Sequence, residues 1–312
     1  MRPAATPAPL FSIVIPTYRR PDRLEGCIRS IAKLRYDPAR FEVIVVDDGS
    51  GSADSVERVL AKFRDRLHVR LFEQAHRGPA AARNLGARRA AGRYLTFTDD
   101  DCQPDPGWLS ALEDHYADSP QTIAGGRTIN ALRDNICAEA SQALVSYLYE
   151  YYQRKGTPFI ASNNLTLPRE LFDELGGFDE RFRLAGGEDR ELCDRALRRG
   201  CCLAHVPQAM VHHYHALSLR GFLRQHLNYG RGAHFFHQTR AARYGGRIEV
   251  EPLTFYIDLI RYPLSCPQVE HRLTACLLMV VSQLANAAGF FQQKLWDVSI
   301  REYFRRRREP PA

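Results

Sequence analysis

The stretch GPAAARNLGARRAAGRYLTFTDDD, residues 78–101, decides how this chain reads. Residues 79–92 are rich in alanine and arginine and close at Gly92, a residue type that commonly ends helices. The apolar run Tyr94 to Phe97 follows as a strand and leads straight into Asp99, Asp100 and Asp101. A helix, a sharp exit, a strand and a knot of acids therefore sit end to end.

The same alternation fills the region upstream. LFSIVI, residues 10–15, is a short β-rich run ending at Pro16, and Leu24, Ile28 and Ile31 follow at helical spacing. Phe41 to Val46 is a second strand, closed by Asp47-Asp48-Gly49-Ser50, and an amphipathic stretch from Val56 to Phe63 precedes a strand at 68–72. Four strands alternating with three helices in about 100 residues predict an α/β, doubly wound, mostly parallel sheet. Such sheets bind ligands beyond the carboxyl ends of their strands, where Thr17, Asp48 and Asp99–Asp101 all fall.

The second half predicts a tyrosine-rich helix around 138–153, a strand at 161–167 and a helix at 168–175. A glycine-rich loop ending in Gly186-Gly187-Glu188-Asp189 follows, then a helix from Arg190 to Arg199 and a strand at 202–206. The expected organisation is a disordered leader over 1–9, a catalytic domain over 10–240 and a helical C-terminal region over 241–312.

With 312 residues, 45% of them hydrophobic, the chain can bury a substantial core. Its eight cysteines form no CxxC pair, and the Pro/Ala-rich start lacks the layout of a signal peptide, so a cytosolic, reducing setting is expected. Net charge is +7 with a pI near 9.0, yet the run Arg305 to Arg308 sits in a tail rather than in a patch interleaved with aromatics, so no nucleic-acid partner is expected. Leu273 to Phe291 is uncharged for 19 residues and is flanked by basic ones. That length matches a bilayer core of about 30 Å, although Gln283 and Asn286 weigh against a span and a packing helix is the alternative. Membrane association is expected, with the basic tail on the cytoplasmic side.

Three consecutive carboxylates suit a hard divalent cation, which selects oxygen ligands; the alternative is a solvated turn. The outer two, Asp99 and Asp101, can share a side while Asp100 points away, one approaching a ribose and the other a metal. Asp48 can accept hydrogen bonds from a base or ribose, or simply close an Asp-Gly turn. Arg83 and Asn84 lie where a cation beside a diphosphate would be useful. Glu188 and Asp189 precede a helix, whose dipole favours their ionised forms, and an ionised carboxylate beside an acceptor hydroxyl suits a general base. Helix capping is the alternative.

The order SIVIPTYRRPDRL, EVIVVDDGSGSAD, GPAAARNLGARRAAGRYLTFTDDDCQPDPGWL, ASNNLTLPRELFDELGGFDERFRLAGGEDRELCDRAL and CLAHVPQAMVHHYHALS resembles the family-2 glycosyltransferases of the GT-A fold, from about Phe11 to His237. The resemblance implies an inverting transferase that uses a nucleoside-diphosphate sugar, a UDP-sugar first, and Mg²⁺ or Mn²⁺. It implies nucleotide-sugar contacts at Pro16, Thr17, Tyr18, Asp48, Arg83, Asp99 and Asp100, and at Arg231 with a buried structural role as the alternative, and metal contacts at Asp101 and His213, with His212 and His215 close enough to exchange with His213. It implies Asp189 as catalytic base with Glu188 beside it. The acceptor would be a lipid-linked or saccharide hydroxyl, in envelope polysaccharide or glycolipid synthesis at the cytoplasmic side of the cell membrane. Acceptor choice is expected to involve Asn163, Asn164 and the Tyr147 to Tyr152 cluster. Processive members carry QxxRW, whereas FLRQHLNYGRGAHFF here offers Gln225 and Arg231 without the tryptophan, which favours single additions. No glycine follows the first strand before Gly26, which disfavours a pyrophosphorylase or a dinucleotide-binding dehydrogenase. Cys201, Cys202 and His205 lack zinc-finger spacing.

Overall fold

A computed structural model describes residues 8–51, 53–246, 248 and 250–308, and their side chains apart from residues 53 and 298–308. Most of the expected leader, the side chains of Arg305 to Arg308 and the last four residues lie outside the described part.

Eight strands form one sheet: β1 (Phe11–Thr17), β2 (Phe41–Asp47), β3 (Val69–Glu73), β4 (Tyr94–Thr98), β5 (Cys102–Pro104), β6 (Ile123–Asn130), β7 (Asn164–Pro168) and β8 (Leu203–His213). Their order is β3-β2-β1-β4-β7-β6-β8-β5. The first four pair in parallel, and β7 enters antiparallel between β4 and β6. The sheet is thus the predicted one on its first side and mixed on the other, with β5 antiparallel to β8. β8 runs to His213, well past the strand predicted at 202–206, because it pairs with both β6 and β5.

Strand alternation divides the apolar residues between two cores. Ile13, Ile15, Val43 and Val45 face one side, where they meet α1 (Pro21–Ile31) through Leu24 and Ile28, and α4 (Trp108–Asp118) through Trp108 and Leu112. Val14, Ile44 and Val46 face the other side, against α3 (Pro79–Arg89) and α7 (Glu188–Arg198). Strands covered on both faces read as unbroken apolar runs. The alanine content of α3 has a packing reason: Ala80, Ala82 and Ala87 are buried against this second core, where larger side chains would hold the helix off the sheet. Between strands run α2 (Ala53–Ala61), α5 (Ile136–Arg154) and α6 (Arg169–Leu175).

Two compact units result. One takes the chain up to Leu132 with Leu148–Arg183 and Asp189–His215, and contains the sheet; the other takes Arg133–Tyr147, Leu184–Glu188 and the chain from Ala216. The second unit is helical: the first turns of α5, then α8 (Leu219–Tyr244), α9 (Leu253–Ser265) and α10 (Arg272–Arg308). Ser218 caps α8 by accepting from the Gly221 amide at 3.1 Å. Tyr147 of α5 donates its hydroxyl to the Phe255 carbonyl at 2.8 Å, and Glu139 accepts from the Glu270 amide at 2.7 Å, so α5 is tied to α9 and to the segment before α10. Among the described residues one helix, Arg272–Asp297, is long and apolar enough to cross a membrane by length and composition.

Candidate active site

The carboxyl ends of β1, β2 and β4 form one rim. Thr17 closes β1 and donates its hydroxyl to Asp100 Oδ2 at 2.7 Å, while the Asp48 amide, just past β2, donates to the Thr17 carbonyl at 2.9 Å. Pro16 and Thr17 are buried strand residues paired with β2, and Arg19 turns the chain into α1 with φ 55°, a left-handed conformation unusual for arginine. Its amide is held by Ser50 Oγ at 2.7 Å. That turn delivers Arg20, the residue before α1, and Arg23 of α1 to the acids that follow β4.

The three aspartates have three environments. Asp99 pairs with Arg83 of α3 at 2.7 Å and is the most exposed of them. Asp100 turns into the protein, where burial pushes its carboxyl up to about 7 against the opposing pull of Arg20 at 2.9 Å. Asp101 is also buried, yet hydrogen bonds from His213 and His215 overcome that burial and hold its carboxyl well below the usual carboxylate range. Arg23 at 2.9 Å and Arg20 at 3.3 Å add to this.

Asp48 serves its own loop. Its Oδ1 accepts from Gln74 Nε2 at 2.7 Å and the Arg77 amide at 2.9 Å, and its Oδ2 meets the Gly78 amide and His76 Nδ1, each at 2.9 Å. A carboxylate with four partners is near saturation, so it shapes the turn that leads into α3. Tyr18 lies beside it, stacked on His76 with centroids 4.2 Å apart.

The β5–β8 register brings the histidines in. Cys102 lies opposite His213 and Gln103 opposite His212. His213 Nε2 is 3.3 Å from Asp101 Oδ1, and His215 Nδ1 is 3.2 Å from Asp101 Oδ2, whereas His212 bonds Asp105 at 3.2 Å. The exchange left open in the sequence therefore narrows to His213 and His215. Ligand atoms of Asp101, Cys102 and His213 lie within 4.8 Å of one another. Cys102 offers a soft sulfur, which a hard cation such as Mg²⁺ or Mn²⁺ disfavours beside oxygen and imidazole donors. One ionised carboxylate and two imidazoles remain, a donor set that fits a divalent cation with room for phosphate oxygens.

Gly186 and Gly187, with φ 133° and 95°, give the turn before α7 a backbone that other residues would strain. Glu188 is buried and accepts from the Gly186 amide at 2.8 Å, a bond within its own loop. Asp189 is half-buried, and its Oδ2 accepts from the Ser162 amide at 3.3 Å. Arg190 beside it lies over the Tyr152 ring at 4.4 Å. Asn84 accepts from the Phe178 amide and donates to its carbonyl, a structural clasp, and Arg231 of α8 bonds Asn228 and Gln292 within the helical unit. Arg20, Arg23 and His76 were not singled out in the sequence. Their signal was present only for the arginines, three apart at the start of a helix that leaves the rim.

Comparison with known proteins adds to this geometry. A family described as glycosyl transferase family 2 matches residues 12–176, and one described as the N-terminal domain of galactosyltransferase matches 144–217. The pre-mycofactocin glycosyltransferase of Mycobacterium tuberculosis is 29% identical over 230 residues, covering 71% of this chain and 46% of that protein. The chondroitin synthase of Escherichia coli is 28% identical over 247 residues, covering 65% and 34%. The chain thus spans half or less of the length of these relatives. A mannosyltransferase from Pyrobaculum calidifontis, solved in complex with GDP-Man and Mn²⁺, shares the fold with a TM-score of 0.60 at 20% identity, over 89% of this chain and 87% of that one. With more than half of its residues matched by the family and its sheet shared with a solved transferase, the chain belongs to glycosyl transferase family 2 and has the GT-A fold.

Proposed function

We propose that the chain transfers one sugar from a nucleoside-diphosphate donor to an acceptor hydroxyl with inversion at the anomeric carbon. The observation that carries this reading is the meeting of Asp101 with His213 and His215 at 3.2–3.3 Å, beside the Asp99–Arg83 pair, on the rim of a parallel sheet. Asp101 and the two histidines would hold Mg²⁺ or Mn²⁺, which when bound neutralises charge on the departing diphosphate. The GDP-Man and Mn²⁺ of the mannosyltransferase support that assignment.

The chain's own residues supply the rest. Arg20, Arg23 and Arg83 place three guanidinium groups around the acids and are suited to the oxygens of a diphosphate. Tyr18 and His76 offer a flat aromatic surface beside Asp48 for the base, a uracil by family resemblance. Asp189 takes the acceptor proton as the hydroxyl attacks, with its second oxygen steadied by the Ser162 amide. Glu188 sets the loop that carries it.

The acceptor is proposed to be a lipid-linked or saccharide hydroxyl of an envelope polysaccharide or glycolipid, reached at the cytoplasmic side of the cell membrane. The polysaccharide-synthase relative and the apolar helix of the C-terminal region support this. Replacing Asp189 by asparagine is expected to lower transfer of radiolabelled sugar by about 10³-fold or more. Stabilisation by nucleoside diphosphate and Mn²⁺ in thermal melts should persist. A variant that kept most of its transfer rate would end the base assignment.

A further inference from the structure

We infer that α10 lies flat in the surface of an anionic lipid leaflet, turning the stripe from Leu273 to Phe291 toward the acyl chains, and does not cross the bilayer. This rests on the membrane location proposed above and specifies its geometry.

α10 is apolar on two opposite faces that meet different surroundings. Ala275, Met279 and Ser282 are buried inside the helical unit. On the opposite side Leu273, Leu277, Val280, Leu284 and Phe291 recur at spacings of three, four and seven, and Leu277, Leu284 and Phe291 are 63%, 67% and 58% exposed. The stripe is about 27 Å long at 1.5 Å per residue, carries no charge, and is bounded by exposed Arg272 and Lys294.

Length alone would allow this helix to span, but its partner does not. α8 packs along α10 with backbones in near contact: a Cβ on Gly230 would lie 1.9 Å from the Asn286 carbonyl oxygen, and one on Gly289 2.0 Å from that of Leu227. Arg231 bonds Gln292 at 2.8 Å and His234 bonds Asp297 at 3.0 Å across the same contact. α8 carries five arginines and no acidic residue. A spanning α10 would carry these arginines into hydrocarbon or strip α8 away, whereas a flat α10 leaves them at the level of the headgroups.

Charge selects the occupant. After Leu217 the chain holds fourteen basic and seven acidic residues, an excess equal to the whole net charge of +7. The one acid among the described side chains of α10, Asp297, is paired with His234. A second copy laid on the stripe would bring the same positive excess against itself, while an anionic leaflet supplies both the apolar depth and the counter-charge.

Tryptophan depth measurement tests this on the full chain. Trp108 is buried in the sheet unit, so with Trp296→Phe as background a single tryptophan placed by Leu277→Trp, Leu284→Trp or Phe291→Trp reports alone on lipid contact. Vesicles of phosphatidylcholine with one third phosphatidylglycerol, brominated at shallow or deep chain positions, should quench all three from the same shallow depth. Binding should weaken by roughly tenfold between about 50 and 200 mM salt and be lost on neutral vesicles. Leu277→Glu with Leu284→Glu should cut vesicle binding by at least about tenfold while donor stabilisation in thermal melts is retained. Deep quenching at 284 with shallow quenching at 277 and 291 would mean a spanning helix and overturn the flat arrangement while the membrane location survives. Absence of vesicle binding by the unaltered chain would overturn both. A soluble dimer abolished by the double glutamate variant would assign the stripe to a second copy instead.

Discussion

The sheet unit and the helical unit bury polar groups under opposite terms. In the sheet unit Glu42, nearly inaccessible, is met by Ser12, Arg70 and the Ala91 amide, and Asp48 and Asp101 are likewise surrounded by donors. In the helical unit His226 is fully buried and touches Phe222 and Tyr229, and neither ring nitrogen has a hydrogen-bond partner among the described residues. The same unit leaves a row of leucines open. At Glu42, Asp48 and Asp101 the sheet unit supplies the donors from within itself, as a binding rim must if it is to be pre-shaped. The helical unit has surface whose best environment is not water.

Four measurements put this contrast to the test. The largest effect is expected at Asp101: Asp101→Asn should lower sugar transfer by about 10³-fold or more and abolish the Mn²⁺-dependent part of donor stabilisation, read in thermal melts. Next, Trp108→Ala removes a fully buried indole whose Nε1 bonds Asn164 at 2.9 Å, and should cost about 3–5 kcal/mol in urea unfolding followed by circular dichroism.

The third effect is acid-dependent. Burial lowers His226 from 6.5 to about 4, so the unfolded chain binds this proton more readily than the folded one. Stability should then fall as pH drops from about 6.5 toward 4, by at most about 3 kcal/mol. His226→Phe should flatten that part of the pH dependence in chemical denaturation. An unchanged slope would mean that the ring is not the source. Smallest of all, Leu284→Ala on the exposed stripe should shift stability by no more than about 0.5 kcal/mol in the absence of lipid. A loss of several kcal/mol would mean that the stripe is packed in solution.

The legible part of the fold is the part buried on both faces. β1, β2 and β4 are mostly apolar runs, interrupted by Ser12, Glu42 and Thr96 and ending in polar residues, so strand, order and rim could all be read from them. β5 is three residues long, and β6 contains Gly125 and Gly126, a residue type that weakens a strand pattern. Gly126 is a strand residue because a Cβ there would lie 1.8 Å from the Ala209 carbonyl oxygen, a constraint from β8 that no local pattern carries. Asn164, expected to help choose the acceptor, instead bonds Trp108 and the Ala209 carbonyl and so holds strands together.

The site divides along the same line. Asp99, Asp100 and Asp101 follow a strand and could be placed by topology, but their separate environments depend on Arg20, Arg23 and Arg83 arriving from two helices. Asp48 stood out as a strand-end acid. Its four partners did not, because two are backbone amides and two are loop side chains with no pattern of their own. The choice among three histidines was beyond the sequence because it turns on strand pairing.

That pairing has a consequence for how the gene can vary. His213 reaches Asp101 because it sits opposite Cys102, with His212 one step back on the other face and bonded to Asp105. Deleting Val211, inside the regularly paired run Met210–His213, would shift the strand by one and exchange the faces of the two histidines, leaving both present and neither in place. A length change in the turn before Leu203 would not move that register. Insertions and deletions should therefore be tolerated before β8 and eliminated between Met210 and His213, a pattern a deep mutational library would display as a sharp boundary.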